Sequence, residues 1–369
     1  MNVPSPAPGN KSATFPCFGL APWAIAVPFL AVAAIALGKP SNVLMAASLA
    51  VVLGGAIMSA VYHAEAIAHR VGEPFGTLIL AFAVTVIETS LIVSIMLSEG
   101  NGAQALARDT VIAAVMITIN GIVGVCLLLG GGRHHEQGYT QSGVNHGLAI
   151  LATLSVLTLV MPNYTTSQVG PFYNEKQLIF VGVVSLMLYG TFVVAQTIRH
   201  RDHFLYPEES DDGHEKVPVN KALAAGVMLL VALVAVVMLA KALSPSIEAG
   251  VAAMGAPHAT VGIIIAALVL APESLAALGA ARANRVQTSL NLAIGSALAT
   301  IGLTIPAVAV ASMWMELDLE LGLSIKSTVL LALTLLVATL TLSTGRTTLV
   351  QGMVHLVIFA TYLFTTLVP

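Results

Sequence analysis

The sequence predicts an all-α integral membrane protein with about eleven transmembrane helices. Of its 369 residues, 57% are hydrophobic and only 9% are charged, whereas about 25% of the residues of a soluble domain are charged. The mean hydropathy is +0.91, and apolar runs of about 20 residues, each long enough to cross a hydrocarbon core of about 30 Å, recur along the chain. The alternating pattern of a membrane β-barrel is not seen, so the spanning elements are predicted to be helices.

Eleven apolar segments follow one another between charged or Pro-, Gly- and Asn-rich breaks. Residues 1–21 lack the basic start and cleavage site of a signal peptide, and we expect a disordered tail there. A leading transmembrane helix is predicted within 22–41, five helices within 42–199, an acidic cytoplasmic linker at 200–219 and five more helices within 220–369. The individual helices are expected near 22–38, 42–66, 75–98, 109–130, 147–162, 177–198, 220–243, 258–281, 286–313, 323–343 and 347–367.

Basic residues predict how these helices are oriented, because Lys and Arg in short loops favour the cytoplasmic side. With eleven spans, ten of the 15 Lys and Arg residues fall on the side of the N-terminus. We therefore expect a cytoplasmic N-terminus, a periplasmic C-terminus and an integral protein of the bacterial inner membrane. The other side holds Lys39, Arg108, Lys176, Lys241 and Lys326.

Two acidic residues, Glu88 and Glu273, lie in the middle of predicted helices. An acidic side chain at the bilayer centre costs roughly 2.5–3.5 kcal/mol, so intramembrane acids are usually functional. The predicted orientation makes the two helices run in opposite directions, with both acids near mid-depth. Such a geometry is typical of inverted repeats that meet at a midplane site. The alternative is that each carboxyl only makes a structural hydrogen bond to a neighbouring helix.

Polar residues that could complete a cation site surround the two acids. Pro272 directly precedes Glu273 and is expected to break the helix, which exposes carbonyl oxygens. Hydroxyl and amide side chains lie on the Glu88 helix and on the segment that follows each acidic helix; any of them could instead link neighbouring helices. These candidate side chains are Thr85, Thr89, Asn120, Asn291, Ser296 and Thr300, and Gly295 beside Ser296 is a further candidate position.

Two carboxylates with neutral oxygens favour a hard divalent cation, and Ca²⁺ accepts more such ligands than Mg²⁺ does. Protons and a metal ion would compete for the same carboxylates, because a bound cation expels the protons. Exclusive occupancy of one site by either species is the requirement for exchange. Na⁺ or K⁺ also binds to carboxylate and hydroxyl oxygen, so a Na⁺(K⁺)/H⁺ antiporter remains the alternative. A membrane-embedded enzyme that uses the two acids as a dyad is a more distant one.

Three stretches resemble a known family: "GEPFGTLILAFAVTVIETSLI", "LAPESLAALGAARANRVQTSLNLAIGSALATIGLTIPAV" and "STGRTTLVQGMVHLVIFATYL". They are similar to the bacterial ChaA-type calcium/proton antiporters of the cation/calcium exchanger (CaCA/CAX) superfamily. The resemblance implies one leading helix and two inverted five-helix repeats. It also implies that Glu88 and Glu273 are paired acidic ligands, that Asn120 is a ligand of the first repeat, and that Gly295 and Ser296 form the Gly-Ser motif of the second.

We therefore expect a secondary transporter, without enzymatic activity or a cofactor, that exports Ca²⁺ in exchange for H⁺ by alternating access. Its expected partners are membrane lipid and the transported cations, not nucleic acid. Glu65 and His63, near the end of the second helix, could line an access path from the cytoplasm or simply mark an interfacial helix end. The acidic residues of the linker are expected to be solvated, since they lack the spacing of a calcium-binding loop.

Overall fold

The computed structural model describes residues 20–36, 38, 40–72, 75–99, 104–200, 203–204 and 218–368. Almost all of the predicted tail at 1–21, and most of the acidic linker at 200–219, lie outside the described residues. Within the described part the chain is helical, and its β-structure is limited to two isolated bridges, Gly138 with Arg346 and Phe172 with Glu320. The predicted all-α class is confirmed.

In the part of the chain that the structure describes, twelve helical elements carry the fold, and each corresponds to a predicted segment except that one segment is split in two. In chain order they are α1 (Pro22–Ile35), α2 (Val43–Val71), α3 (Phe75–Glu99), α4 (Leu106–Arg133), α5 (Gln141–Tyr164), α6 (Glu175–Arg199), α7 (Val219–Ala253), α8 (Ala259–Val269), α9 (Ala271–Arg282), α10 (Val286–Met315), α11 (Ile325–Leu342) and α12 (Leu349–Leu367).

The number of membrane spans in the described residues is nine, or ten when the bent pair of α8 and α9 is taken as one span. The remaining apolar helix, α1, has only 14 residues. At 1.5 Å per residue it is about 21 Å long, which is less than the hydrocarbon thickness of about 30 Å. The predicted count of eleven spans is therefore not confirmed.

The short helix α1 is attached to α2 through a carbonyl group that a proline leaves free. Pro28 lies inside α1 and has no N–H, so the carbonyl of Ala24 lacks its usual helical donor. The Ser59 hydroxyl donates to this oxygen at 2.7 Å, and His63 Nε2 lies 2.9 Å from it. His63 is fully buried. The structure thus places His63 against α1, and its role in an access path stays a prediction.

Helices from the two halves of the chain pack against each other in a crossed manner. α2 packs on α7, and α12 packs on the second part of α4. At that second contact a Cβ on Gly352 would lie 2.7 Å from the backbone nitrogen of Leu128. In the corresponding place, α6 packs on the second part of α10, where a Cβ on Gly302 would lie 2.7 Å from Tyr189 Cβ. The division into two inverted five-helix repeats stays a prediction, but these contacts are what such repeats would produce.

Both α4 and α10 contain a π-helical turn near their middle, at Met116–Ile122 and Thr300–Thr304 respectively. Such turns widen a helix locally and occur frequently at functional sites. The turn in α10 packs against α3, and the turn in α4 packs against α9. Each acidic helix is therefore adjacent to a π-helical turn from the opposite half of the chain.

The end of the bundle formed by the start of α4 is tied to the loop between α10 and α11. Arg108 forms ion pairs with Asp109, at 2.9 Å, and with Glu320, and it donates to the carbonyl of Gly322 at 2.9 Å.

In a neighbouring loop, the Tyr173 hydroxyl donates to the carbonyl of Leu157 at 2.5 Å. Burial raises the pKa of Tyr173 to about 12.

Candidate functional site

Glu88 is buried in the middle of α3, with 2% of its surface exposed. Its Oε2 accepts a hydrogen bond of 2.7 Å from the hydroxyl of Thr304, and Thr300 interacts with the same carboxylate. Both threonines belong to the π-helical turn of α10. A buried carboxylate needs hydrogen-bond donors to compensate for the loss of water. The π-helical turn of α10 supplies such donors to Glu88 from the second half of the chain.

The sequence analysis named Thr300 but missed Thr304. The signal was available, since Thr304 lies four residues after Thr300 and four residues place two side chains on the same helix face. Thr304 is fully buried, and a fully buried threonine hydroxyl needs a partner. That partner is an acid 216 positions earlier in the chain, which no local pattern reveals.

Glu273 lies in the first turn of α9, directly after a bend of 56° between α8 and α9. Pro272 occupies the start of α9. The carbonyl of Leu270, at the bend, accepts from the backbone N–H of Ser274 at 2.9 Å and from its hydroxyl at 2.6 Å. The free N–H groups at a helix N-terminus favour negative charge, so the bend places the carboxylate of Glu273 where a helix dipole stabilises it.

The negative charges of Glu65 and Glu88 both act unfavourably on a charged Glu273. Glu273 Oε2 is buried and has no hydrogen-bond partner among the described residues. The hydroxyl of Thr89, one residue after Glu88, is likewise buried and unpartnered there. Unsatisfied buried oxygens are rare in proteins, and a water molecule, an ion or another ligand usually satisfies them. Here they occur beside two like charges that a cation would neutralise.

A cavity of about 130 Å³ opens beside Glu273. It is large enough for several water molecules or for a partly hydrated cation. A Cβ on Gly295 would have no atom within 4 Å, so this glycine keeps one wall of the cavity open. Glu88 does not line it and lies deeper, although Ala81 and Val84 of the same helix do. The lining comprises Leu80, Ala81, Val84, Tyr189, Phe192, Gln196, Glu273, Asn291, Leu292, Gly295, Ser296 and Ala299.

Three of the predicted neutral ligands lie at this cavity: Asn291, Gly295 and Ser296. The side chain of Asn291 is already engaged, because its Oδ1 accepts from Gln287 at 3.0 Å and its Nδ2 donates to the carbonyl of Phe204. Ser296 is the remaining lining hydroxyl from that set. The structure therefore brings the Gly-Ser motif to the carboxylate of Glu273, with Asn291 shaping the wall.

Two other predicted ligands make bonds elsewhere. The Thr85 hydroxyl donates to the carbonyl of Ala81 in its own helix at 2.8 Å. Asn120 is fully buried and bonded through both ends of its amide, to Thr334 Oγ1 at 2.8 Å and to His355 Nδ1 at 3.0 Å. Neither residue lines the cavity. Asn120 acts here as a link between α4, α11 and α12.

Within the residues that the structure describes, no three His, Cys, Asp or Glu side chains are grouped so that they could hold a metal ion. A cation at Glu88 and Glu273 would therefore depend on these two carboxylates together with hydroxyl and carbonyl oxygens. Such a ligand set suits the hard ions Ca²⁺, Na⁺ and K⁺ and disfavours softer metals.

Comparison with known proteins places the chain in a family. The model of the family described as "Sodium/calcium exchanger protein" matches residues 41–198 and 224–368, which is most of the chain. The chain belongs to the sodium/calcium exchanger family. Membership makes this exchanger-family protein a membrane transporter and excludes the enzyme alternative.

Two curated relatives and one solved structure illustrate the similarity. The exchanger-family chain is 48% identical to "Putative ionic transporter y4hA" of Sinorhizobium fredii, over 86% of this chain and 87% of that protein. It is 36% identical to "Sodium-potassium/proton antiporter ChaA" of Escherichia coli, over 83% and 84%. A crystal structure of the Ca²⁺/H⁺ antiporter protein YfkE matches with a TM-score of 0.70 at 16% identity, over 94% of this chain and 98% of that one; this similarity shows the fold.

Proposed function

We propose that the protein exports Ca²⁺ in exchange for H⁺ by alternating access, with Glu88 and Glu273 as the shared ligands of cation and proton. The observation that carries the proposal is the buried carboxylate of Glu88 together with the buried, unpartnered Oε2 of Glu273, one from each half of the chain, with the negative charge of Glu88 acting on Glu273. The similarity to proteins named as cation/proton antiporters supports it.

The charge of the pair explains why exchange would be obligatory. Two carboxylates are neutralised either by one Ca²⁺ or by two protons, so both loaded forms have a similar local charge. The empty form leaves two repelling charges in a medium of low dielectric constant, which is costly. Movement of the loaded forms is therefore favoured over movement of the empty form, and cation flux is coupled to proton flux.

The proposal includes the direction from which the site is reached. The cavity is lined by Gln196, near the end of α6, and by Asn291, which bonds to Phe204 within the predicted linker. The predicted orientation puts this end in the cytoplasm, with the protein in the bacterial inner membrane. At the opposite end, Arg108 and its partners link the start of α4 to the loop after α10. We therefore infer that a cation for export enters from the cytoplasmic end.

The test is ⁴⁵Ca²⁺ uptake into proteoliposomes with an imposed pH gradient. Glu88→Gln and Glu273→Gln preserve the size of each side chain and remove its charge, and we expect each to abolish proton-coupled uptake. Glu316→Gln is the matched control, because Glu316 is an exposed carboxylate in the loop after α10. Full activity in either site variant contradicts the assignment of that glutamate, provided that the control transports normally.

A Na⁺(K⁺)/H⁺ antiporter is the second candidate, and the specific observation in its favour is the 36% identity to a relative named as a sodium-potassium/proton antiporter. The same proteoliposomes separate the two. If Ca²⁺ is the physiological cation, Na⁺ and K⁺ at fixed pH should inhibit ⁴⁵Ca²⁺ uptake weakly and should not themselves dissipate the pH gradient. Rapid dissipation by Na⁺ or K⁺, with little by Ca²⁺, assigns the monovalent function.

A further inference from the structure

His355 is a fully buried histidine of α12 that neither the sequence analysis nor the proposed function uses. Its Nδ1 lies 3.0 Å from Asn120 Oδ1 in α4, and its Nε2 lies 2.8 Å from the Thr341 hydroxyl in α11. A buried imidazole that contacts two other helices is costly unless both nitrogens are satisfied. His355 is therefore held in a defined orientation at the junction of three helices.

The direction of each hydrogen bond follows from the donors available. The Thr334 hydroxyl donates to the carbonyl of Leu330 in its own helix at 2.8 Å, so it accepts from Asn120 Nδ2. The amide oxygen of Asn120 then faces His355, and since an amide oxygen only accepts, Nδ1 of His355 carries the hydrogen. In a neutral imidazole Nε2 is then the acceptor, and the Thr341 hydroxyl donates to it in place of the carbonyl of Val337. His355 thus fixes which end of the Asn120 amide faces which helix.

Asn120 belongs to the π-helical turn of α4, and that turn packs against α9, the helix that begins at the bend and carries Glu273. In the opposite half, the π-helical turn of α10 packs against α3 and donates through Thr304 to Glu88. The two turns hold corresponding places beside the two acids. One of them is held by the acid itself, whereas the other is held by Thr334 and His355.

We propose that His355 is a positioning residue for the cation site: through Asn120 it fixes the π-helical turn of α4 against α9 and so sets the surroundings of Glu273. The proposal rests on the proposed function of Glu273. Close packing leaves α12 little freedom to adjust, because a Cβ on Gly124 of α4 would lie 3.1 Å from His355 Cβ. The loss of one hydrogen bond is therefore transmitted to the turn and not absorbed by movement of α12.

Two substitutions of His355 test the contacts of its two ring nitrogens one at a time. Asparagine puts its amide N–H near the position of Nδ1, so His355→Asn keeps the donor to Asn120. Glutamine reaches the position of Nε2, so His355→Gln keeps only the contact with Thr341. We expect His355→Gln to raise the apparent KM for ⁴⁵Ca²⁺ about five-fold or more, as for the loss of one buried hydrogen bond, with the maximal rate little changed. His355→Asn should stay close to the wild-type KM, and so should the control Thr339→Val in α11, because the exposed Thr339 hydroxyl donates to Leu335 within its own helix.

Hydrogen–deuterium exchange provides a readout that does not depend on transport. The peptide containing Met116–Ile122 should exchange faster in His355→Gln than in the wild type and in His355→Asn. If His355→Gln does not fold, Thr334→Val serves instead, because it removes the acceptor that orients Asn120 and should produce the same increases. An unchanged KM and unchanged exchange in His355→Gln, or equal impairment in His355→Asn, overturns the proposal. If the wild-type protein transports no cation in exchange for protons, the proposed function is overturned instead. The hydrogen–deuterium exchange data still test the positioning role of His355 in that case.

Discussion

Substitution of Gly295 by alanine should separate stability from transport. Gly295 lies inside α10, and an added Cβ would meet no atom within 4 Å. Alanine is favoured over glycine in a helix interior by about 1 kcal/mol, so Gly295→Ala should stabilise the folded protein by about that amount. The same methyl group enters the cavity of about 130 Å³. It is about the size of one water molecule, so it displaces water or a cation from part of this space.

We expect Gly295→Ala to raise the temperature of unfolding in detergent and the apparent KM for ⁴⁵Ca²⁺ together, and Gly295→Val to abolish transport. Two other glycines provide the controls. Gly226→Ala also meets no atom within 4 Å but lies in α7, away from the cavity, and should stabilise without affecting transport. Gly302→Ala would place its Cβ 2.7 Å from Tyr189 Cβ and should destabilise. Normal transport by a stable Gly295→Val protein would refute the view that this cavity is the cation path.

Three further changes test the fold around the site. Burial raises the pKa of Tyr173 to about 12, above the usual tyrosine pKa of about 10. The protonated hydroxyl therefore contributes fully to stability below about pH 10, and this contribution is lost as the pH rises through about 12. In denaturant unfolding, Tyr173→Phe should not show this alkaline decline in stability. Ser59→Ala removes one of two donors to the carbonyl of Ala24 and should lower the free energy of unfolding by about 1 kcal/mol, measured in detergent. Arg108→Gln breaks the ion pair with Glu320 and should cost about 1.5–3 kcal/mol by the same measurement.

Controls for these changes are available in the same chain. Arg346 forms an ion pair of 3.6 Å with Glu136 in which the two side chains are 75% and 60% exposed, and Arg346→Gln should change stability by less than about 1 kcal/mol. A Pro28→Ala change restores an N–H that can reach the Ala24 carbonyl, so it should recover stability in the Ser59→Ala background. If Arg108→Gln behaves like Arg346→Gln, or if Pro28→Ala gives no recovery, the corresponding contact does not stabilise the protein as argued.

Much of the fold could be predicted because each transmembrane helix corresponds to a long apolar run in the sequence. The predicted segment 258–281 illustrates the limit: its length and hydropathy predict one span, whereas the structure divides it into α8 and α9 at a bend. Pro272 is the local signal for that break. α1 shows the opposite limit, since its apolar run looks long enough in the sequence but the helix ends at Ile35, shortly before Gly38 and Pro40, which disfavour helix.

For the candidate site, the cost of placing an acid in an apolar helix is enough to single out Glu88 and Glu273 from the sequence, and their role as ligands stays a prediction. The site was not predictable where the choice depends on a partner far away in the chain. Asn120 has the chemistry of a ligand, but His355, 235 positions later, takes its amide oxygen. Thr304 looks like any helical threonine until Glu88 is found opposite it. Side-chain type predicts what a residue can bind, whereas the packing of α4 and α10 decides what it does bind.

The crossed placement of the two π-helical turns has a consequence for how such a protein can be divided. Each acid has its neighbouring π-helical turn in the opposite half of the chain. A fragment that ends at the linker therefore contains Glu88 without Thr300 and Thr304, and the complementary fragment contains Glu273 without the turn of α4. Separately synthesised fragments could rebuild the cation pocket only by associating face to face inside the membrane. Joining the halves in a single polypeptide makes that association intramolecular, and so makes a complete pocket independent of protein concentration.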